Sequence, residues 1–333
     1  MKRCPKCNFV YADGTLSFCL EDGSRLVDAV ATEDAPTVQW TSGEKAEKLI
    51  APETLKPGIR FCKTADGVGI AYSLVGKGPL LVRVLGYFTH LEKEWEHPGL
   101  RHLWERLAER YTVVRYDGRG IGLSERFDGK FTEETRQLDL EAVLEAVEAN
   151  NATLFGISEG GWTAASYIIN KPKRANRLIL FGAYCRGVKA RPGYDPEVEQ
   201  ALLTLIRSGW GGDSPAFRQI FTSTFFKPEA DPKLIAHFNE MQRVSASPDT
   251  AARYLESLQL RGDGREVFRQ VSVPTLVVHC QEDMAASADE GRLLASIIPG
   301  ARLVLLPSGT HYFPTDRDVV TSVVNAINDF VDG

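Results

Sequence analysis

The sequence has no long apolar run and little net charge, and each shortage excludes a class of protein. No segment reaches the roughly 18 to 20 consecutive apolar residues that a membrane-spanning helix needs. The formal net charge of −5 is small and has the wrong sign for a protein whose main partner is nucleic acid. The first residues also lack the apolar core of a signal peptide, so we expect a cytoplasmic protein without a membrane partner.

Cysteine is scarce and unevenly distributed: of six cysteines, Cys4, Cys7 and Cys19 lie within the first twenty residues. Cys4 and Cys7 form a Cys-x-x-Cys pair that can hold one tetrahedral ion, with Cys19 and Asp22 as the second pair. The segment 1–26 resembles the small N-terminal zinc ribbons of bacterial proteins, with Asp22 in place of the fourth thiolate. A structural zinc and a ribbon without metal therefore both remain open. The other cysteines are expected to be free thiols.

Composition divides the chain into three predicted parts. Residues 27–57 are rich in Ala, Thr, Glu, Asp, Pro and Lys without a sustained period, which predicts a flexible linker between segment 1–26 and a main domain at 58–333. The tethered segment is a candidate for contacts with a protein partner. Its basic residues are offset by acidic ones, which argues against nucleic acid.

The main domain contains eight apolar runs that predict strands, separated largely by helical patterns. The predicted strands are 59–64, 68–75, 80–85, 112–116, 152–157, 177–183, 274–280 and 301–306. An opening hairpin followed by alternating strands and helices predicts an α/β fold, with a mostly parallel sheet covered by helices on both faces. Residues 186–270 lack strand runs and are predicted to form a helical cap.

The most informative stretch is Gly-Ile-Ser-Glu-Gly at residues 156–160, between a predicted strand and a predicted helix. Gly-x-Ser-x-Gly at such a turn is typical of a nucleophile elbow. The turn strains Ser158 and requires glycine at 156 and 160, where a Cβ would collide with neighbouring chain. It presents the Ser158 hydroxyl above the strand ends and directs the backbone N–H of Glu159 toward a developing oxyanion.

A serine nucleophile needs a base, and the base needs an orienting acid. In this type of sheet the acid and then the histidine follow the serine along the chain. His311 lies just after the last predicted strand, and Asp283 lies just after the strand before it, so both should reach the edge of the sheet that carries Ser158. Glu282 is the alternative acid, and Asp283 is favoured because of its distance beyond the strand.

The loop after strand 80–85 is predicted to complete the oxyanion hole. Gly86 permits close backbone approach there, which makes the N–H of Tyr87 the expected second donor. Apolar residues of the predicted cap are expected to contribute to the substrate pocket. The aromatic side chains expected to line it are Phe88, Trp210, Phe221 and Phe225.

As a set, these motifs resemble those of the α/β-hydrolase family over about residues 59–331. The resemblance lies in segments 86–92, 95–98, 116–124, 156–161, 245–248 and 273–279. It is nearest to the hydrolase modules found beside bacterial adenylate cyclase or regulator domains. It implies an α/β-hydrolase fold, with Ser158 as nucleophile, Asp283 as acid and His311 as base. It also implies no cofactor for catalysis and a small-molecule substrate.

The type of nucleophile narrows the expected chemistry. A serine at the elbow predicts acyl transfer from an ester, thioester or lactone, and the apolar cap favours an apolar acyl or ring substrate. The alternative hypothesis is a sensing module. Such a module would bind or slowly cleave a small signal molecule and contact a partner through the N-terminal segment. Fast turnover of simple esters would favour the enzyme.

Overall fold

The computed structural model describes residues 2–3, 5, 10–11, 25–28, 57–84, 86, 88–311 and 315–333. The chain divides into two compact units, Met1–Glu53 and Thr54–Gly333. The first unit contains three short antiparallel strands: β1 (Lys2–Arg3), β2 (Val10–Tyr11) and β3 (Val27–Asp28). The predicted zinc ligands lie outside the described residues: Cys4, Cys7, Cys19 and Asp22. Most of the predicted linker also lies outside them.

The second unit is built on an eight-stranded sheet, which confirms the predicted mostly parallel α/β architecture. Its strands are β4 (Ile59–Lys63), β5 (Gly69–Val75), β6 (Leu80–Val84), β7 (Thr112–Tyr116), β8 (Ala152–Ile157), β9 (Ala175–Phe181), β10 (Thr275–Cys280) and β11 (Arg302–Leu306). Their order in the sheet is β11-β10-β9-β8-β6-β7-β5-β4. Only the pairings of β5 with β4 and with β7 are antiparallel.

The described part of the second unit also contains eleven α-helices. They are α1 (Leu91–Glu96), α2 (Pro98–Ala108), α3 (Glu133–Ala146), α4 (Gly160–Asn170), α5 (Pro196–Gly209), α6 (Ala216–Thr222), α7 (Pro232–Ser245), α8 (Pro248–Gln259), α9 (Arg265–Phe268), α10 (Ala288–Ile297) and α11 (Arg317–Asp332). A 3₁₀ turn spans Val188–Ala190. Among the described residues, no helix is both long and apolar enough to cross a membrane.

The core consists of two apolar layers on opposite faces of the sheet. Helices α3, α4 and α10 contribute to one layer, and α2 and α11 contribute to the other. Along β9, Leu178 and Leu180 belong to the first layer while Ile179 and Phe181 belong to the second. This alternation follows from the pleat of a strand, and it explains why strands buried on both faces have continuous apolar sequences.

Five α-helices, α5 to α9, occupy the segment between β9 and β10. Three of them begin with a capping side chain followed by proline: Asp195, Asp231 and Ser247 accept hydrogen bonds from backbone N–H groups of the first turn. Apolar residues of α5 to α8 form a third core cluster together with Phe88, Ile121 and Phe131. The sequence prediction placed a helical cap at residues 186–270, and these helices lie in that segment.

Helix α1 has no counterpart in the sequence prediction, because its composition is mostly charged. Its Glu94 is nevertheless buried, since Arg83 of β6 and Arg115 of β7 approach its carboxylate at 2.5 and 3.1 Å. Both guanidinium groups also lie over the ring of Trp104. Two arginine partners compensate for the loss of hydration of the buried Glu94 carboxylate. Because these partners come from two separate strands, the sequence of α1 alone does not predict the contact.

Candidate active site

The turn between β8 and α4 holds Ser158 in a strained conformation. Its φ is 51°, a left-handed value that residues other than glycine rarely adopt. The Ser158 N–H donates to the carbonyl of Phe181 at 2.9 Å, which fixes the turn to β9. A Cβ on Gly156 would lie 2.8 Å from the Cα of Gly161, so glycine is required at this crossing. The surrounding contacts therefore maintain the strain and hold the hydroxyl at the sheet edge.

Three side chains from separate loops meet at this edge. The Nε2 atom of His311 lies 2.8 Å from Oγ of Ser158. On the other side of the ring, Nδ1 lies 2.8 Å from Oδ2 of Asp283. An ionised carboxylate only accepts hydrogen bonds, so Nδ1 carries the hydrogen and Nε2 is left as the acceptor for the serine hydroxyl. This arrangement is the one that activates a serine as a nucleophile.

Asp283, and not Glu282, faces the histidine. Oδ1 of Asp283 also accepts hydrogen bonds from the N–H groups of Ala285 and Ala286, at 2.9 and 2.8 Å. Burial by itself raises the pKa of this carboxyl, but the charge and hydrogen bonds of His311, with the Ala286 N–H, lower the pKa below its ordinary value. Glu282 is largely exposed and pairs with Lys227.

A second histidine supports the acid, and the sequence reasoning did not assign it a role. His279 is fully buried in β10, and its Nε2 lies 2.8 Å from the carbonyl of Ala286 and 3.5 Å from Oδ2 of Asp283. Burial lowers the pKa of His279, which favours the neutral ring. A neutral Nε2–H directed at Ala286 holds the turn that contains Asp283. The strand position predicted burial of His279 but not this contact.

The predicted oxyanion donors are only partly within the described residues. Tyr87 lies outside them, whereas Gly86 is described and a Cβ there would lie 2.7 Å from the carbonyl of Ile157. Glu159 precedes the first turn of α4, and its backbone N–H makes no hydrogen bond within the described part of the chain. An N–H at a helix start is suited to stabilising negative charge.

The side chain of Glu159 joins a buried polar network that sequence reasoning missed. Tyr254 of α8 donates to its carboxylate at 2.6 Å. Arg261 donates to the Glu159 carbonyl at 3.1 Å, and its other terminal nitrogen donates to Glu133 at 2.7 Å. Burial opposes the charge of Arg261, but Glu133 and Glu159 outweigh that effect and raise its pKa. The network ties the cap to the residue that follows the serine.

We expect Arg261→Met to destabilise the protein by about 3 kcal/mol, because it leaves the buried Glu159 and the half-buried Glu133 without their cation. Urea denaturation followed by circular dichroism measures the change. Arg265→Met is the matched control, since its partner Asp263 and Arg265 itself are both exposed, and it should cost at most about 1 kcal/mol. Equal losses in the two variants would contradict a structural role for the network.

A cavity of about 430 Å³ opens onto Ser158 and His311. Phe221 and Phe225 line it, together with aliphatic residues of the cap. The backbone N–H of His311 donates to the carbonyl of Phe225 at 3.1 Å, so the cap also positions the histidine loop. The cavity is of a size that takes a small organic molecule.

The predicted pocket residues Phe88 and Trp210 do not line this cavity, and that part of the prediction is corrected. Both rings are buried within the cap cluster, with centroids 5.2 Å apart in an edge-on arrangement. Nε1 of Trp210 donates to the carbonyl of Gln242 at 3.2 Å, which turns the indole away from solvent. Trp210 packs behind Phe221 at 6.0 Å and supports the cavity wall from outside.

Within the described residues, no group of three or more His, Cys, Asp or Glu side chains is arranged to hold a metal ion. Cys62, Cys185 and Cys280 are free thiols. Burial raises the pKa of each thiol, to about 11, 12 and 12 respectively. Thiols with such values are rarely ionised and are poor nucleophiles at neutral pH.

The sequence profile of the Alpha/beta hydrolase family matches residues 86–322, more than half of the chain. The chain belongs to this family. The match spans the strand-to-helix turn at Ser158 and the loops that carry Asp283 and His311.

Individual relatives agree with this assignment. Pyrrolizixenacetamide deacetylase of Xenorhabdus hominickii is 27% identical over 252 residues, covering 72% of this chain and 87% of the relative. 3-Oxoadipate enol-lactonase 2 of Acinetobacter baylyi is 25% identical over 252 residues, covering 73% and 86%. The solved structure of an esterase from Exiguobacterium antarcticum has a TM-score of 0.70 at 24% identity, covering 82% of this chain and 99% of the esterase. At this identity the likeness concerns the fold.

Proposed function

We propose that the protein is a serine hydrolase that cleaves an ester, thioester or lactone through Ser158, His311 and Asp283. The observation that carries the proposal is the pair of 2.8 Å contacts from the His311 ring, one to Oγ of Ser158 and one to Oδ2 of Asp283. The relatives named as a deacetylase and an enol-lactonase support chemistry at an acyl group. The cavity beside the serine supplies the space for a substrate.

The reaction proceeds in two acyl transfers. Oγ of Ser158 bonds to the acyl carbon while its proton passes to Nε2 of His311, and the bond to the leaving oxygen or sulfur then breaks as Nε2 returns that proton to it. A water molecule next gives a proton to Nε2 and bonds to the acyl carbon. The Oγ–acyl bond breaks, the acid leaves, and Oγ takes the proton back. Asp283 stabilises the positive ring in both transfers.

The oxyanion that forms in each transfer is assigned to the N–H groups of Glu159 and Tyr87. Support for Glu159 comes from its position at the start of α4, directly after the serine. Support for the Tyr87 loop comes from Gly86, which brings the end of β6 against the carbonyl of Ile157. Removing one such donor typically costs about 10²–10³ in rate.

A fluorophosphonate probe tests nucleophile, base and oxyanion pocket in one reaction. We expect one probe per chain on the peptide that contains Ser158, with parallel loss of p-nitrophenyl butyrate hydrolysis. Probe on another residue, or full esterase activity after complete labelling of Ser158, would overturn the proposal. A single acylation of Ser158 by p-nitrophenyl butyrate, without further turnover, would instead support the sensing hypothesis.

The rate should be lost in acid, because a protonated imidazole base cannot accept the serine proton. Asp283 contributes no second loss within the ordinary titration range of an aspartate: its pKa is lowered, so its carboxylate becomes protonated only at pH values below that range. A profile of kcat/KM for p-nitrophenyl butyrate measures this. Activity that rises toward acid pH would contradict a histidine base.

The zinc prediction for the N-terminal unit stays a prediction. One zinc per chain in protein purified without chelator would support a site formed by Cys4, Cys7, Cys19 and Asp22. Protein that contains no zinc would instead support the alternative, a ribbon without metal.

A further inference from the structure

The cavity beside Ser158 has one strongly basic side chain on its wall. Among the described residues that line it, Arg191 is the only lysine or arginine. Most of the remaining wall is apolar, with Leu202, Leu203 and Val198 of α5 among its members. A half-buried guanidinium on such a wall keeps its charge and is suited to binding an anion.

The guanidinium of Arg191 is held in a fixed position. Nε donates to the carbonyl of Arg186 at 2.9 Å, and Nη1 donates to the carbonyl of Ala285 at 3.1 Å. The group also stacks on Tyr184, with Cζ 3.8 Å from the ring centroid. Because the N–H of Ala285 donates to Oδ1 of Asp283, the arginine is tied to the same turn as the acid.

Among the residues that the structure describes, no carboxylate pairs with this guanidinium. Within the described part of the chain, Arg191 forms no ion pair, and the hydrogen bonds donated by its Nε and Nη1 go to neutral carbonyls. The carboxylates on the same wall have other partners. Glu199 accepts from Tyr194 and lies 3.7 Å from Lys189, and Asp195 caps α5. The third, Glu159, is bound by Tyr254 and Arg261.

We propose that Arg191 binds a carboxylate carried by the acyl part of the substrate, while the acyl carbon sits at Ser158. The substrate class is therefore an ester, thioester or lactone of a dicarboxylic acid, with an apolar chain between its two ends. A planar guanidinium with free N–H groups matches the two oxygens of a carboxylate. This inference rests on the proposed function, because it uses the same serine.

Two matched esters test the inference: p-nitrophenyl hydrogen adipate, whose acyl chain ends in a carboxylate, and p-nitrophenyl methyl adipate, its neutral counterpart. The measured quantity is the ratio of their kcat/KM values, anionic over neutral. We expect Arg191→Gln to lower this ratio about 10- to 100-fold, mainly through KM, because a charge-assisted contact is lost. Arg191→Lys keeps the positive charge but not the planar guanidinium, so it should lower this ratio less than Arg191→Gln does.

Lys189→Gln is the matched control, because it removes a positive charge two residues away that does not line the cavity. An unchanged ratio in Arg191→Gln, or an equal fall in Lys189→Gln, would overturn the inference. If Arg191→Gln does not fold, the wild-type protein still decides: inhibition by adipate should exceed inhibition by adipamide, and equal inhibition would reject the carboxylate site. Wild-type protein that cleaves neither ester and resists the fluorophosphonate would reject the proposed function itself.

Discussion

Ser158→Ala is expected to lower kcat for p-nitrophenyl esters by about 10⁴–10⁶-fold, because the variant lacks the hydroxyl oxygen that bonds to the acyl carbon. The alanine keeps the Cβ and the backbone of the turn, so the 51° φ and the Ser158 N–H bond to Phe181 are retained. The variant should therefore fold and bind substrate without turnover. Stopped-flow binding and steady-state hydrolysis measure the two properties separately.

Ser223→Ala is the control for this variant. Ser223 is an exposed serine of the cap whose hydroxyl donates to the carbonyl of Ile220, and its loss should leave kcat unchanged. If Ser158→Ala kept the activity of the wild type, another nucleophile would have to exist and the proposed mechanism would be wrong.

Asp283→Asn is expected to lower kcat by about 10⁴-fold with little loss of stability. The asparagine oxygen can still accept from the N–H groups of Ala285 and Ala286, so the turn keeps its shape. The neutral amide cannot stabilise a positively charged His311. An NH₂ group facing Nδ1 donates to that nitrogen, so the ring hydrogen moves to Nε2, which can then no longer accept the serine proton. The effect should appear in kcat at every pH at which the wild type is active.

Glu282→Gln is the matched control, because it changes the neighbouring carboxylate in the same way. Glu282 is exposed and pairs with Lys227 rather than with the histidine, so the variant should keep wild-type kcat. The opposite result, with Glu282→Gln inactive and Asp283→Asn active, would transfer the role of acid to Glu282.

The sheet was predictable because its signals are local. The predicted strands agree with the observed ones to within two residues at each end. Strands buried on both faces, such as β8 and β10, have continuous apolar sequences bounded by turn residues. Helix α1 was missed because a charged hexapeptide shows no apolar period, and its buried Glu94 depends on arginines from two strands.

The same distinction between local signals and contacts from separate elements applies to the candidate site. The turn at Ser158 could be predicted, since Gly-x-Ser-x-Gly between a strand and a helix restricts the backbone locally. The aromatic lining was predicted only in part. Phe88 and Trp210 are aromatic, as pocket residues often are, but they pack against each other inside the cap cluster, and that position depends on how the cap helices pack.

By itself, the sequence determined the parallel sheet, the strained serine turn and the strand ends that carry an acid and a histidine to one edge. Each of these follows from side-chain period and backbone sterics within a few residues. Only the tertiary structure decided that Asp283 turns inward, that Arg261 neutralises Glu159 and that Arg191 has no carboxylate partner among the described residues. A buried charge depends on groups about 100 residues away in the chain, and no local pattern specifies which of them will meet it.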